Sequence, residues 1–321
     1  MNQGVLDMSQ RWEMRPGLAD FARDSGTRTL LDHVGRSEGM PALIRCHVCG
    51  DDSAAPFIRE GCWQYDRCRG CGLVFLHPQP SEAFLDEHYQ HYLPTGGPAR
   101  MAWRRMMQPV TASSAALLEQ RCSRPGRLLD VGCGHGFFLK AMADRGWAVE
   151  GIEISATGRD YARDVFGLKV SGQPLPRADF ADGQFDVITL FYVIEHLTNP
   201  RAVLAEVRRL LRPGGLVLLR WPHTAPLVRL LRPWAESLKL YQAPSHLFDF
   251  APRSMTILLN DLDFQRIETT IGGWTRPENR QARLAAAVFG RIAAGLDELS
   301  HGHWLLPGVS KTTLALRGGS A

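Results

Sequence analysis

A chain of 321 residues with 45% hydrophobic and 22% charged residues holds enough apolar material for one sizeable α/β domain and a smaller unit. Its formal charge of +4 is spread thinly, without the Lys/Arg block that marks a nucleic-acid-binding tail. No apolar run reaches transmembrane length and the start, MNQGVLDMSQRWEMRPG, has no signal-peptide pattern, so the expectation is a soluble, cytoplasmic protein.

Residues 1–40 show no sustained period and are expected to form a mobile or loosely packed extension. A cysteine-bearing unit follows, over 41–80. The chain has 7 cysteines, and an odd number without a signal peptide argues against a disulfide framework. Four of them form Cys46-x2-Cys49 and Cys68-x2-Cys71, with 18 residues between the pairs. That spacing suits a closed, four-thiolate, structural zinc site, each knuckle turning on the following glycine, Gly50 or Gly72. A redox CxxC pair is the alternative, and Cys62, between the pairs, reads as packing. Arg45, Arg59, Arg67 and Arg69 are matched by Asp51, Asp52, Glu60 and Asp66. A neutral unit is a poor reader of phosphate, which favours a structural or substrate-covering role over nucleic-acid recognition. The unit runs into a short strand at Gly72–Leu76, stopped by His77-Pro78-Gln79-Pro80. A connection over 81–125 is helical in parts, broken at Pro94-Thr95-Gly96-Gly97-Pro98.

From residue 126 strand and helix signals alternate. Strands are predicted at 127–131, 148–153, 185–193, 216–220, 264–271 and 311–317. Helices are predicted from the glycine loop to about Arg145, over 155–166 with Ser155 as cap, and from Pro200 to Leu211. The alternation implies right-handed crossovers and a Rossmann-like α/β domain over 126–321, with a seven-stranded, mostly parallel sheet.

Between the first of these strands and its helix lies Asp130-Val131-Gly132-Cys133-Gly134-His135-Gly136. The loop sits at the carboxyl edge of the sheet, where open α/β folds bind ligands, and Gly132 and Gly134 let the backbone approach one closely. Glu153 ends the next strand, 21 residues after Gly132, where a carboxylate can accept from both hydroxyls of a ribose. A dinucleotide loop reads G-x-G-x-x-G and carries pyrophosphate, which a carboxylate at Asp130 would repel; the same carboxylate suits the ammonium of a methionine moiety. A tight turn without ligand is the bland alternative, and Cys133 inside it reads as a small residue filling a tight space.

Asp130–Gly136, Glu153, the strand 185–193 running into Ile194-Glu195-His196-Leu197, and Leu211-Arg212-Pro213-Gly214-Gly215 together resemble the class I S-adenosylmethionine (SAM)-dependent methyltransferases, over roughly 120–321. The cysteine quartet followed by Cys-Gly-Leu-Val-Phe-Leu-His-Pro-Gln-Pro is similar to bacterial members with an N-terminal zinc ribbon, often found in polysaccharide or secondary-metabolite pathways. The resemblance implies Gly132 and Gly134 against the methionine part, Glu153 on the ribose and Ile154 beside adenine. Some relatives bind Mg²⁺ with an additional Glu three residues before the Glu-His pair. Here that position is Tyr192, which argues against a catalytic metal and for Phe191 and Tyr192 as walls of the methyl-transfer pocket.

Because SAM carries an activated methyl, the protein has to position an acceptor and remove its proton. His196, His223 and His246 fall in loops at the carboxyl edge. We expect His246 or His196 as base with Glu195 orienting one of them; the bland alternative is that Glu195-His196 merely ties a loop. The stretch between Trp221 and His246 is an insertion with apolar and basic residues at helical spacing, suited to a lid or acceptor wall. The expectation is methyl transfer to O, N or C of a small-molecule or carbohydrate-type acceptor. An RNA methyltransferase reading its substrate through the ribbon, a non-catalytic SAM-binding scaffold and an NAD enzyme are the alternatives.

Overall fold

The computed structural model describes residues 45–319, apart from 176, 277–278, 301–304 and 306–309. The extension expected at 1–40 lies outside the described residues. The first part is a ribbon of three short strands, β1 (Ala54–Glu60), β2 (Trp63–Cys68) and β3 (Val74–Leu76). Two helices, α1 (Glu82–Gln90) and α2 (Gly97–Arg121), lead to the larger sheet. There follow β4 (Arg127–Val131), α3 (Phe137–Ala143), β5 (Ala148–Ile152), α4 (Ala156–Phe166), β6 (Val170–Ser171), β7 (Phe185–Phe191), a 3₁₀ turn at Ile194–His196, α5 (Pro200–Leu210) and β8 (Leu211–Trp221). The insertion forms α6 (Ala225–Leu230) and α7 (Arg232–Leu238), and β9 (Phe248–Asp249) follows it. The chain closes with α8 (Pro252–Asp261), β10 (Phe264–Thr270), α9 (Arg280–Leu299) and β11 (Lys311–Arg317).

Seven strands align in the order β10-β11-β8-β7-β4-β5-β6. The pairs from β6 through β8 are parallel, and β11 runs antiparallel to both its neighbours. The expected mostly parallel, Rossmann-like sheet is therefore what the chain builds. Its central strands are covered on both faces, which is why they read as unbroken apolar runs: Leu128, Leu129, Val187, Ile188 and Leu190 are all 0% exposed. Helix α5 starts where Asn199 accepts from the Ala202 N–H at 3.0 Å with Pro200 at the first helical position. It buries Val203, Leu204, Val207 and Leu210 against the sheet. Ser155 sits at the N-cap position of α4, but its hydroxyl donates to the Gln90 carbonyl at 3.0 Å instead of capping the helix.

The strand order reverses on either side of β4, so the loop 131–136 opens at the switch point of the sheet. The ribbon is fused to this domain. β3 pairs antiparallel with β9, making a four-stranded sheet in the order β1-β2-β3-β9. One contiguous apolar core joins Tyr65, Phe75 and Leu76 of the ribbon to Leu190, Leu219 and Trp221 of the large sheet. Among the described residues no helix is long and apolar enough to cross a membrane.

Candidate active site

Gly132 and Gly134 both adopt left-handed backbone, with φ of 73° and 55°. A Cβ on Gly132 would stand 2.4 Å from a Val193 methyl, so the loop after β4 and the loop after β7 are in van der Waals contact only because residue 132 has no side chain. Glu153 is 7% exposed, and its two oxygens accept from the Gly134 N–H and the Ser155 N–H, each at 2.8 Å. Burial raises its carboxyl above the usual range, while those N–H bonds oppose the rise. Asp130, buried at the end of β4, accepts from the Thr189 hydroxyl at 2.7 Å. Its carboxyl is pushed up to about 8, chiefly by burial, with the Glu153 charge adding to it and Thr189 opposing it. A cation bound beside this pair would draw both carboxyls back to the ionised form. The segment between α1 and α2 roofs the loop: His135 Nε2 lies 3.1 Å from the Pro94 carbonyl. Cys133 packs against Gly151, and burial holds its thiol well above the reactive range.

Ile154 is half-buried beyond Glu153. Phe191 packs edge-on against Phe138 with centroids 4.7 Å apart. Tyr192 has φ of 55°, a conformation a bulky side chain rarely adopts, and its hydroxyl accepts from Arg220 Nε at 3.2 Å. Arg220 is 1% exposed and also donates to the Thr312 hydroxyl at 2.8 Å and to the carbonyls of Ile271 and Gly273.

The structure brings Glu195, His196 and His246 together. One donor atom of each lies within 4.8 Å of the others, and the two imidazoles meet edge-on with centroids 5.0 Å apart. His196 Nδ1 is 2.6 Å from the Ser245 carbonyl, and its Nε2 is 4.0 Å from Glu195 Oε1. Tyr89 braces the arrangement, donating to the same carbonyl at 2.8 Å and lying 3.2 Å from His196 Nδ1. Glu195 is 1% exposed, and neither oxygen meets a hydrogen-bond donor of another described residue. Burial, with the charge of Asp249 adding to it, pushes its carboxyl up to about 8. A buried acid with open lone pairs beside two imidazoles can share a proton with them or take part in holding a cation. His223 is kept neutral by burial and by nearby Lys311, its pKa lowered to about 3.

In the ribbon, Cys46 and Cys71 sulfurs are 3.5 Å apart and Cys49 and Cys68 sulfurs 3.6 Å, all four within 4.8 Å. Tetrahedral zinc with bonds of about 2.3 Å places sulfurs about 3.8 Å apart, so the quartet fits that ion closely. Among the cysteines, Cys62, Cys122 and Cys133 stand outside the cluster. Residues that sequence reasoning missed are Thr189, Arg220, Tyr89 and the Ser245 carbonyl. None belongs to a spacing motif, and the last is a backbone group that only the fold can aim.

Comparison with known proteins fits this geometry. The family description "Methyltransferase domain" matches residues 102–269, just over half of the chain. The ubiquinone biosynthesis O-methyltransferase of Dechloromonas aromatica is 33% identical over 141 residues, covering 42% of this chain and 61% of that enzyme. The enzyme of the same name from Pseudomonas paraeruginosa is 36% identical over 109 residues, 32% of this chain and 47% of that one. The chain thus spans about half the length of the curated relatives it matches. Among solved structures, the 1,6-didemethyltoxoflavin-N1-methyltransferase of Burkholderia thailandensis superposes with a TM-score of 0.50 at 14% identity, over 83% of this chain and 100% of that one. Phosphoethanolamine N-methyltransferase 2 of Haemonchus contortus gives 0.51 at 15% identity, over 76% and 62%. At such identities the structural likeness speaks for the fold alone. The family match and the site on the topological switch point lead to one conclusion: this chain belongs to the methyltransferase-domain family.

Proposed function

We propose that the enzyme methylates a hydroxyl of a small molecule, using Glu195, His196 and His246 to take up the acceptor proton. The observation that carries this reading is the convergence of those three groups at the carboxyl edge, two residues beyond the Val193 methyl that touches the glycine loop. SAM, when bound, supplies a methyl already activated on a sulfonium. Asp130 would then face its ammonium, Gly132 and Gly134 would admit the methionine part, Glu153 would take the ribose hydroxyls and Ile154 would flank adenine. Phe191 and Tyr192 wall the methyl side. A carbonyl only accepts, so the ring proton of neutral His196 resides on Nδ1 and its Nε2 keeps a lone pair for the acceptor hydroxyl. The imidazolium that results, 4.0 Å from Glu195, would draw that buried acid back toward its ionised form, and the carboxylate would then stabilise it. Relatives named as O-methyltransferases support oxygen as the methylated atom.

The test is radiolabelled methyl transfer from SAM to a panel of phenols, catechols and free sugars, with His196→Gln and His246→Gln beside the wild type. We expect both variants to bind SAM normally and to lose at least about 10²-fold in turnover, the usual worth of a positioned base. Full activity in both would sink the assignment. A second reading is favoured by the open oxygens of Glu195: the same three side chains would hold a divalent cation that activates the hydroxyl. We further read 41–80 as a ribbon holding a structural zinc, 81–125 as the helical connection and 126–321 as the catalytic domain. The seven thiols, none in a disulfide, fit the reducing cytoplasm.

A further inference from the structure

The ribbon hairpin reaches the segment that carries His246. Glu60, at the end of β1, is 4% exposed, and its oxygens accept from the backbone N–H groups of Tyr241 at 2.7 Å and Ala243 at 3.2 Å. Tyr65 on β2 is 0% exposed, stacks on Tyr241 with ring centroids 4.6 Å apart, and donates its hydroxyl to the His246 carbonyl at 2.7 Å. Beyond them the Leu76 N–H donates to the Leu247 carbonyl at 2.8 Å, and β3 pairs with β9. Residues 241–249 are thus tied to the ribbon at 241, 243, 246, 247, 248 and 249.

The tied segment feeds directly into the site. Its Ser245 carbonyl fixes the proton of His196 on Nδ1, and its Leu247 N–H donates to the Glu195 carbonyl at 2.8 Å. A ribbon that served only as a stabilising appendage would be held by apolar packing. Here it also commits a buried carboxylate and a buried phenol to particular backbone atoms of one loop. The Glu60 carboxylate and the Tyr65 phenol thereby meet particular backbone atoms of this loop, and leaving either unpaired would cost stability.

We infer that the ribbon hairpin is the template of the His246 loop, with Glu60 and Tyr65 as positioning residues that set the tautomer of His196 through the Ser245 carbonyl. The inference rests on the reading of His196 and His246 as the proton-accepting pair. It assigns the cysteine unit a part in catalysis through geometry, 181 residues away in sequence from the loop it shapes.

The test is nitrogen-15 NMR of histidine-labelled full-length protein, with signals assigned by His196→Gln and His246→Gln, together with amide hydrogen exchange. In the wild type His196 is expected as the neutral tautomer protonated on Nδ1. In Tyr65→Phe its signal moves toward a mixture of tautomers, and amides of 241–247 exchange about tenfold faster, the factor one hydrogen bond is worth. Zinc content and SAM affinity stay at wild-type levels. Glu60→Gln moves the same readouts the same way and keeps the test open if Tyr65→Phe folds poorly. Unchanged tautomer and exchange in both variants would overturn the inference, as would loss of SAM binding in step with the tautomer change, which marks general unfolding. Retained methyl transfer in His196→Gln and His246→Gln is a separate result: it removes the base assignment and leaves the tethering of the loop standing.

Discussion

Replacing Glu195 by Gln keeps the shape of the side chain and removes its ability to ionise. The wild-type carboxyl is 1% exposed and its pKa stands at about 8 against an ordinary 4.5. The folded state therefore holds this proton more tightly than the unfolded chain does. The stability it contributes is complete below about pH 4.5 and is lost as pH rises toward 8, at about 1.4 kcal/mol per pH unit. From pH 5 to pH 8 the loss accumulates to about 4 kcal/mol. With an unfolding entropy of about 2.1 cal/mol/K per residue, that corresponds to about 6 °C in Tm for a chain of 321 residues. The Gln variant should thus melt with the wild type at pH 5 and roughly 3–6 °C above it at pH 8. Asp130, raised to about 8 by burial, titrates in both proteins and cancels in the comparison, while Asp249, raised to about 7 by burial, is coupled to Glu195 by charge and carries part of the gap. Differential scanning fluorimetry from pH 5 to pH 9 reads the gap. A difference that does not grow with pH would refute the account of Glu195 as a buried, unpaired acid. Adding Mg²⁺ or Mn²⁺ extends the experiment, because a rise in wild-type Tm absent from the variant would select the cation-holding reading.

Gly132→Ala would press a Cβ to 2.4 Å from Val193 at φ of 73°, and we expect SAM affinity to fall at least about tenfold by calorimetry. Wild-type affinity there would mean the loop is not the cofactor cradle. Glu153→Gln places an amide N–H₂ against a site where both oxygens now accept from backbone, so SAM binding should weaken by about tenfold or more while zinc content holds. Cys68→Ser should lower the zinc content measured by plasma mass spectrometry and loosen the ribbon; a variant that retained its full metal would contradict the four-sulfur site.

The large sheet was legible because its strands are buried on both faces and bounded by Gly and Pro, so that 127–131 and 311–317 match the observed strands. β6 escaped because two residues, Val170 and Ser171, give no period to read. In the ribbon, β1 carries Pro56 and an irregular register between Pro56 and Ile58, which hides the alternation of a strand. Just beyond the insertion, expected as a lid or acceptor wall, residues 248–249 complete the ribbon sheet. Nothing local announces that Phe248 will pair with Phe75. At the site, the loop from Asp130 to Gly136 and the cysteine quartet could be read because each is a spacing rule with a chemical cause. The sequence pointed to His246 or His196 with Glu195 orienting one of them; that all three side chains converge is seen only in the fold. The tautomer of His196 was not accessible, since it depends on a carbonyl brought from 49 residues away.

The pairing of β3 with β9 also bears on how the chain is made. The cysteine knuckles leave the ribosome early, but the sheet they support lacks its last strand until residue 249 has been synthesised. At about 5–20 residues per second, the roughly 170 residues between β3 and β9 take on the order of ten to thirty seconds. During that interval β3 is an edge strand with unpaired N–H and C=O groups, open to any other extended segment. The nascent ribbon therefore carries an open edge until β9 arrives to cover it.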